Sequence, residues 1–239
     1  MDSAAGVDVA TRAGVNRIEL CSALSLAGLT PSAGLMAIAA TKALPCFVLI
    51  RPRAGDFCYD TRDVDLMRRD IDIVRSLRLA GIVIGANRVD GSLDEDVLRA
   101  LLEHAAGLPA VLHRAFDLAP DFHAALETAI QLGFIRVLTS GGAPDAVSGS
   151  AVIRSLVEQA AGRIEIMAGA GLTPNNVIGF ARSTGVRALH SSCSTPVGYP
   201  ATAMTERGAT LGFIPAQLNA TNPTTIAAMI AALDAVPDR

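Results

Sequence analysis

The sequence predicts an α/β fold, namely a TIM-type (β/α) barrel that lacks its first strand. Helical and strand-like patterns alternate along most of the chain, as they do in parallel βα units. The length of 239 residues is close to the roughly 250 of one such barrel, so residues 1–239 are interpreted as a single domain. The apolar strand-like runs end in polar residues, and a barrel of this type builds its site at the carboxyl ends of its strands.

Short apolar runs predict the strands, and apolar residues at helical spacing predict the helices between them. In the third helical segment Val64, Met67, Ile71 and Val74 form a stripe that indicates packing on the sheet. The predicted strands are 16–21, 46–51, 81–86, 109–114, 134–139, 164–169 and 187–192. The predicted helices lie near 2–14, 31–43, 62–79, 93–105, 120–132, 149–161 and 173–184.

The strand count is one short of a closed barrel, because the chain opens directly in a helix. After Cys193 a polar stretch rich in Gly and Thr runs to about residue 222, and a last helix follows at 225–233. The polar stretch either fills the place of the missing strand or leaves the barrel open. We expect an open barrel of seven strands, although such a barrel exposes two unpaired strand edges.

Composition excludes several classes of function. No run reaches the ~18 apolar residues of a membrane-spanning helix, and the first residues lack the pattern of a secretion signal, so we expect a cytoplasmic protein. A net charge of -3, no Trp and two Tyr are unlike a nucleic-acid-binding surface. Lys42, the only lysine, lies at the end of a predicted helix away from the strand ends, which argues strongly against Schiff-base aldolase chemistry.

The cysteines indicate either a soft metal site or inert buried thiols. Period-two alternation puts Glu19 and Cys21 on one face of the first strand and His190 and Ser192 on one face of the last. Cys58 follows the second strand, so Cys21, Cys58 and Cys193 can all reach the same end of the barrel. Thiolates with an imidazole suit Cu(I), whereas an isolated free cysteine is usually a small buried apolar residue. No C-x-x-C pair occurs, and both readings stay open.

The loop after the second strand carries Arg51, Arg53 and Asp56. Two guanidinium groups in a short loop suit an anionic ligand. The alternative is a network of arginines and carboxylates that ties the loop to neighbouring strand ends, with Glu19 or Asp117 as partners. The position after an apolar strand favours the anion site.

The fourth strand ends in His113, Arg114 and Asp117. His113 is a candidate general base or ligand, because an imidazole titrates near neutral pH. Asp117 either orients His113 or pairs with Arg114. A histidine at a strand end, next to Arg and Asp, favours a functional role over a satisfied core residue.

Small residues follow the last strands, where barrels of this type commonly bind phosphate through free N–H groups. Glycines also serve tight turns that have no ligand. The candidates are Gly169, Gly171, His190, Ser191 and Ser192, with Thr139 and Ser140 offering further donors at the same end.

These motifs together resemble one family, the copper homeostasis protein CutC, and they occur in that family's order over about residues 2–193. The matching segments are Arg17-Ile-Glu-Leu-Cys21, Gly28-Leu-Thr-Pro-Ser32, Ile50-Arg-Pro-Arg-Ala-Gly-Asp-Phe-Cys-Tyr59, Asp90-Gly91, His113-Arg-Ala-Phe-Asp117, Arg136-Val-Leu-Thr-Ser-Gly141, Ile166-Met-Ala-Gly-Ala-Gly171 and His190-Ser-Ser192.

The resemblance implies a TIM-type barrel, a cytoplasmic homo-oligomer and a role in copper tolerance with Cu(I) bound in some members. It favours Cys21 as the main metal ligand and Cys58 as a second one, because both match cysteines of the family pattern. Cys193 lies outside that pattern. The family's first strand is absent here, and residues 194–222 fit the family loosely.

Two functional hypotheses therefore stand beside a scaffold role in which the charges only pair with one another. The first is a copper homeostasis protein that binds Cu(I) through thiols. The second is a barrel enzyme acting on a small anionic or phosphorylated metabolite. In the enzyme hypothesis Arg51 and Arg53 hold the anion and His113 or Glu19 moves a proton.

Overall fold

Seven parallel strands form one curled sheet in the order β1 to β7, as the sequence predicts. The computed structural model describes residues 1–215 and 218–234. Neighbouring strands pair in register, for example Ile18 with Cys46 and Val83 with Val111. The strands are β1 Ile18–Leu20, β2 Cys46–Leu49, β3 Gly81–Ile84, β4 Ala110–Leu112, β5 Arg136–Thr139, β6 Glu165–Gly169 and β7 Ala188–His190.

The helices alternate with these strands and cover the outside of the curl. Several begin at an aspartate whose carboxylate accepts from the first free N–H groups, as Asp60, Asp94 and Asp121 do. The predicted elements are present with bounds shifted by at most four residues. The helices are α1 Ala4–Ala13, α2 Ala33–Ala40, α3 Thr61–Ser76, α4 Glu95–Ala105, α5 Phe122–Gln131, α6 Ser150–Ala160, α7 Val177–Thr184, α8 Ala203–Thr210 and α9 Pro223–Asp234.

Alternation along the strands divides the core into two layers. Residues such as Leu20 and Ile84 face the helices, where the predicted stripe of α3 is buried. The other face points into the curl and forms a smaller apolar cluster. Its members are Cys21, Leu49, Val83, Val111, Leu138, Met167 and Ala188.

The sheet is open between β1 and β7, because these strands do not pair with each other. Met1 lies beside β1: its amino group donates to the Glu19 carbonyl at 2.6 Å, and its carbonyl accepts from the Cys21 amide at 2.8 Å. This is the pairing of a parallel strand. On the outside, α9 contacts both α1 and α7 and so flanks the opening.

The described residues between 194 and 222 (194–215 and 218–222) do not fill the opening in the sheet. They contain a separate antiparallel pair, β8 (Ser194–Val197) and β9 (Leu218–Thr221), with α8 between the two strands. Both strands are largely exposed and polar, so they lack the apolar pattern by which a strand is recognised. Within the described part of the chain, no helix has the length and apolar character to cross a membrane.

Candidate functional site

The predicted inward faces of the first and last strands meet across the opening. Glu19 lies at the centre of β1 and His190 ends β7, and Glu19 Oε2 is 3.6 Å from His190 Nε2. Cys21 follows β1 on the same inward face as Glu19 and is buried. The prediction that Glu19, Cys21 and His190 share one region is therefore confirmed.

These residues line a cavity of about 230 Å³, which we call the β1–β7 cavity. Its wall combines inward strand residues, the segment after β7 and one face of α9. Apolar side chains dominate the wall. The lining residues are Met1, Val15, Asn16, Arg17, Ile18, Glu19, Cys21, Leu24, Phe47, Val83, Val111, Arg136, Met167, Leu172, Arg187, Ala188, Leu189, His190, Ser191, Ser192, Cys193, Thr221, Ile226, Met229, Ile230 and Leu233.

Sulfur atoms are concentrated in this wall. Of the chain's four cysteines and six methionines, five line the cavity: Met1, Cys21, Met167, Cys193 and Met229. Burial raises the pKa of the Cys21 thiol, so the thiol is protonated at neutral pH. The Cys21 Sγ lies 3.5 Å from the Met1 carbonyl oxygen and 4.0 Å from the Met1 amino nitrogen.

Cys58, the second predicted ligand, does not line the cavity. It is half-buried in the loop after β2, where its carbonyl accepts from Arg53 Nη2 at 2.6 Å. Across residues 1–215 and 218–234, no group of three or more His, Cys, Asp and Glu side chains is arranged to hold a metal ion.

Arg51 is buried and ties two loops together. Its Nη1 donates to the carbonyls of Leu26 at 2.7 Å and Gly28 at 2.9 Å, and its Nη2 donates to Gly55 at 2.8 Å. The guanidinium carbon lies 5.0 Å from the centre of the Phe57 ring. The buried Nε has no partner among the described residues, so one donor of Arg51 is still free.

Arg53 forms ion pairs within the protein, which was the alternative to an anion site, but its partners differ from the predicted Glu19 and Asp117. Its Nε donates to Asp63 at 2.8 Å and its Nη2 to Asp56 at 3.0 Å. Glu19 and Asp117 are bonded elsewhere. The loop charges of Arg53 and Asp56 are thus matched within the loop and α3.

Asp117 pairs with Arg114 rather than with His113. Arg114 Nε donates to its carboxylate at 2.7 Å, and the Thr139 hydroxyl, the Ser140 amide and hydroxyl and the Gly142 amide also donate to it. The Asp117 carboxylate thereby accepts hydrogen bonds from the hydroxyl and amide groups after β5 that were predicted to bind an external anion. Its side chain is only 7% exposed, and the network joins the ends of β4 and β5.

His113 is buried at the end of β4. Its Nδ1 accepts from the Ala115 amide at 3.0 Å, and its Nε2 has no partner among the described residues. Burial and the nearby Arg51 cation lower the pKa of His113 to about 3, so the ring is neutral with the proton on Nε2. The Phe57 ring lies 4.8 Å from the imidazole.

The remaining predicted residues lie at the same end of the barrel. Ser191 Oγ donates to the Leu172 carbonyl at 3.3 Å, and the Ser192 hydroxyl contacts that of Ser194 at 2.9 Å. Gly169 permits close packing, because a Cβ there would lie 3.2 Å from the Cβ of His190. Gly171 has φ +72°, a left-handed conformation that favours glycine.

A cluster of arginines at the opposite end of the strands was missed from the sequence. Arg136 begins β5, is buried, and pairs with Glu165 at the start of β6. Arg17 Nη2 lies 3.8 Å from the same carboxylate, and Arg187 precedes β7. Period-two alternation places Arg136 on the inward face of β5 with Leu138. A single charged residue at the start of a strand does not by itself indicate a site.

A family model identifies the chain. The CutC family model matches residues 1–195. The chain belongs to the CutC family. A family protein CutC of Caulobacter vibrioides strain NA1000 / CB15N is 50% identical over 236 residues, which cover 99% of this chain and 96% of the relative. A Sinorhizobium medicae strain WSM419 member is 48% identical over 236 residues, with 99% and 95% covered.

A crystal structure from this family also matches. It bears the designation copper homeostasis protein CutC, from Streptococcus agalactiae, and is 34% identical with a TM-score of 0.72. The match covers 75% of this chain and 89% of that one. Phosphoribosyl anthranilate isomerase from Thermococcus kodakaraensis, 12% identical with a TM-score of 0.58 over 98% and 96% of the two chains, shares the fold alone.

Proposed function

We propose that this CutC-family member is a copper homeostasis protein that binds Cu(I) in the β1–β7 cavity. The observation that carries the proposal is the sulfur content of the wall: half of the chain's sulfur-bearing residues line this one cavity. Thiolate and thioether sulfur are the ligands that select Cu(I). The Streptococcus agalactiae relative bears the designation of a copper homeostasis protein.

In this proposal Cys21 is the main ligand, and Cys193 or His190 supplies the second one. Binding displaces the Cys21 proton, because only the thiolate is an effective ligand. His190, paired with Glu19, offers an imidazole nitrogen in the wall of the same cavity. Cys58 is left out of the set because it lies outside the cavity wall.

The cellular setting follows from the same chemistry. A cytoplasmic location keeps the thiols reduced and available for Cu(I). Self-association is carried over from the family resemblance, and analytical ultracentrifugation of the reduced protein tests it. A purely monomeric species would oppose it.

Competition between the reduced protein and a Cu(I) chelator tests the copper site. We expect Cys21→Ser to lower Cu(I) affinity strongly and Cys193→Ser to lower it less. Cys58→Ser is the matched control, since it removes a thiol outside the cavity, and we expect no change. Equal affinities of the wild type and Cys21→Ser would overturn the ligand assignment.

The enzyme hypothesis has specific support of its own. Glu19 and His190 form an acid–base pair in an apolar cavity, and Arg51 and His113 each keep a free buried donor beneath Phe57. Such groups can move a proton and bind an anion. If the enzyme hypothesis is correct, the Glu19→Gln and His113→Asn variants each lose turnover of a small phosphorylated substrate. Both variant proteins should keep a melting temperature near that of the wild type. Retained turnover in both variants would exclude the hypothesis.

A further inference from the structure

Three buried polar side chains follow the neighbouring strands β2, β3 and β4, away from the β1–β7 cavity. They are Arg51, Asn87 and His113, which are only 6%, 3% and 6% exposed, and none of them lines that cavity. Each keeps one buried atom, respectively Nε, Oδ1 and Nε2, that has no hydrogen-bond partner among the described residues. Buried polar atoms in folded proteins are rarely left without a partner, so three such atoms at adjacent strand ends indicate a binding site.

Phe57 links the three residues. Its ring centre lies 4.8 Å from that of His113 and 5.0 Å from the guanidinium carbon of Arg51, and its carbonyl accepts from the Asn87 amide at 2.9 Å. On the far side, Asn87 Nδ2 donates to the Ala115 carbonyl at 3.0 Å, and the Ala115 amide donates to His113 Nδ1 at 3.0 Å. The three side chains therefore belong to one region beneath the half-buried Phe57 ring, which we call the Arg51–His113 site.

The charge of Arg51 is not balanced inside the protein. Its hydrogen bonds go to neutral backbone carbonyls, and no carboxylate in the described part of the chain lies within ion-pair distance of it. Asp56 of the same loop and Asp63 of α3 pair with Arg53 instead. His113 adds a second donor without adding charge, because its ring is neutral. A buried cation is normally paired with an opposite charge, so the site favours an anion.

Asn87 narrows the choice of anion. Its Nδ2 donates to the carbonyls of Gly91 at 2.7 Å and Ala115 at 3.0 Å, which fixes the orientation of the amide and leaves Oδ1 as the free atom. An amide oxygen can only accept a hydrogen bond, so Oδ1 needs a donor from the ligand. A ligand that carries a hydroxyl beside its anionic group satisfies Oδ1 together with the two free donors.

We propose that the Arg51–His113 site binds a small hydroxycarboxylate, and that the Phe57 ring covers the site when no ligand is bound. The carboxylate accepts from Arg51 Nε and His113 Nε2, and the hydroxyl donates to Asn87 Oδ1. The single negative charge of the ligand balances that of Arg51, and guanidinium groups form strong hydrogen bonds with carboxylates. The ligand takes the place of the Phe57 ring, which can rotate outward without movement of the loop backbone.

The proposal names a ligand class for the donors that the enzyme hypothesis assigns to an anion, and in that sense it rests on that hypothesis. It is independent of copper, because the thiols of the β1–β7 cavity take no part in it. Binding of a hydroxycarboxylate requires neither turnover nor metal. A failed turnover assay or a failed Cu(I) titration therefore leaves the expectations below unchanged.

Isothermal titration calorimetry with glycolate, acetate and glycolamide tests the ligand class. Acetate lacks the hydroxyl of glycolate, and glycolamide lacks its negative charge. We expect glycolate to bind the wild type at least about tenfold more tightly than either analogue, because each analogue leaves a buried polar atom or the Arg51 charge unmatched. Equal binding of glycolate and either analogue would overturn the proposal. So would the absence of glycolate binding, which would mean that the free atoms bind water only.

Variants locate the ligand. Phe57→Ala removes the cover, and we expect glycolate affinity to rise about threefold to tenfold, since the ligand no longer has to displace the ring. His113→Asn removes the Nε2 donor and should lower the affinity by at least a similar factor. Arg88→Ala is the matched control, because it removes an exposed cation next to Asn87 that pairs with Asp96, and it should leave the affinity unchanged.

Two results with these variants would refute the site. A loss of affinity in Arg88→Ala as large as that in His113→Asn would show a general effect of charge at this end of the barrel. An unchanged or lower affinity in Phe57→Ala would show that the ring does not cover a binding site. Because Phe57 is only half-buried, this second variant tests the proposal even if His113→Asn fails to fold.

Discussion

At the residue scale, charged side chains that follow β2 and β4 are bonded to partners within the protein. Asp117 is the clearest case, because it accepts from Arg114, two hydroxyls and two backbone amides while being almost fully buried. The sequence placed Asp117 correctly at a strand end. It did not show whether the neighbouring hydroxyl and amide groups would donate hydrogen bonds to an external anion or to this carboxylate.

Asp117→Ala should therefore destabilise the fold. Removing the carboxylate leaves buried donors and Arg114 without an acceptor, and we expect a loss of about 3 kcal/mol in the free energy of unfolding. Denaturant unfolding measures it. Asp65→Ala, which breaks an exposed pair with Arg69, should cost about 0.5 kcal/mol or less. Similar losses in both variants would contradict the structural role of Asp117.

His113 should make stability depend on pH. Its pKa is about 3 in the folded protein, below the unfolded value of about 6.5, so between these values the unfolded state binds more protons. Stability should rise with pH across that window, by up to about 1.4 kcal/mol per pH unit from this group. His113→Asn keeps an acceptor for the Ala115 amide and should have a shallower dependence. Parallel pH profiles of the two proteins would show that His113 is not buried as a neutral ring.

At the element scale, backbone packing at β3 depends on glycine. A Cβ on Gly85 would lie 2.4 Å from His113 Cε1, so Gly85→Ala should cost about 1–3 kcal/mol through overpacking. Gly179 in α7 has open space around it, and Gly179→Ala should stabilise the protein by about 0.5–1 kcal/mol. Thermal denaturation of the Gly85→Ala and Gly179→Ala variants compares their melting temperatures. Equal melting temperatures would contradict the close approach of His113 to β3.

The elements differ in how well their sequence predicts them. Most residues of the seven strands are apolar and buried, as in β3, and helices such as α3 have one apolar stripe, so periodicity reveals them. β8 and β9 are exposed and polar, and their pairing depends on a contact between segments about twenty residues apart. Local pattern contains no signal for such a contact.

At the scale of the whole molecule, the open sheet creates the cavity. The sequence predicted an open barrel from the strand count and placed Glu19, Cys21 and His190 near one rim. It also placed Cys193 within reach of the same rim. It did not indicate Met229 or the arginine cluster, because these reach the wall from a late helix and from the far ends of the strands. Such convergence depends on the curvature of the sheet, which is not encoded in any one segment.

The same architecture predicts an uneven distribution of local stability. Strands β3 to β5 have neighbours on both sides, whereas α8 and the β8–β9 pair are largely exposed. Amide hydrogen exchange should therefore be at least about tenfold faster in α8 than in β4, since opening there disrupts fewer buried contacts. Equal protection in the two elements would contradict this description.

X-ray absorption at the copper edge tests most directly whether the cavity binds Cu(I) through sulfur. The reduced protein is loaded with one equivalent of Cu(I), and the spectra of the wild type, Cys21→Ser and Cys58→Ser are compared. We predict a sulfur coordination shell that loses a ligand in Cys21→Ser and is unchanged in Cys58→Ser. A shell without sulfur, or one that changes only in Cys58→Ser, would contradict the proposed site.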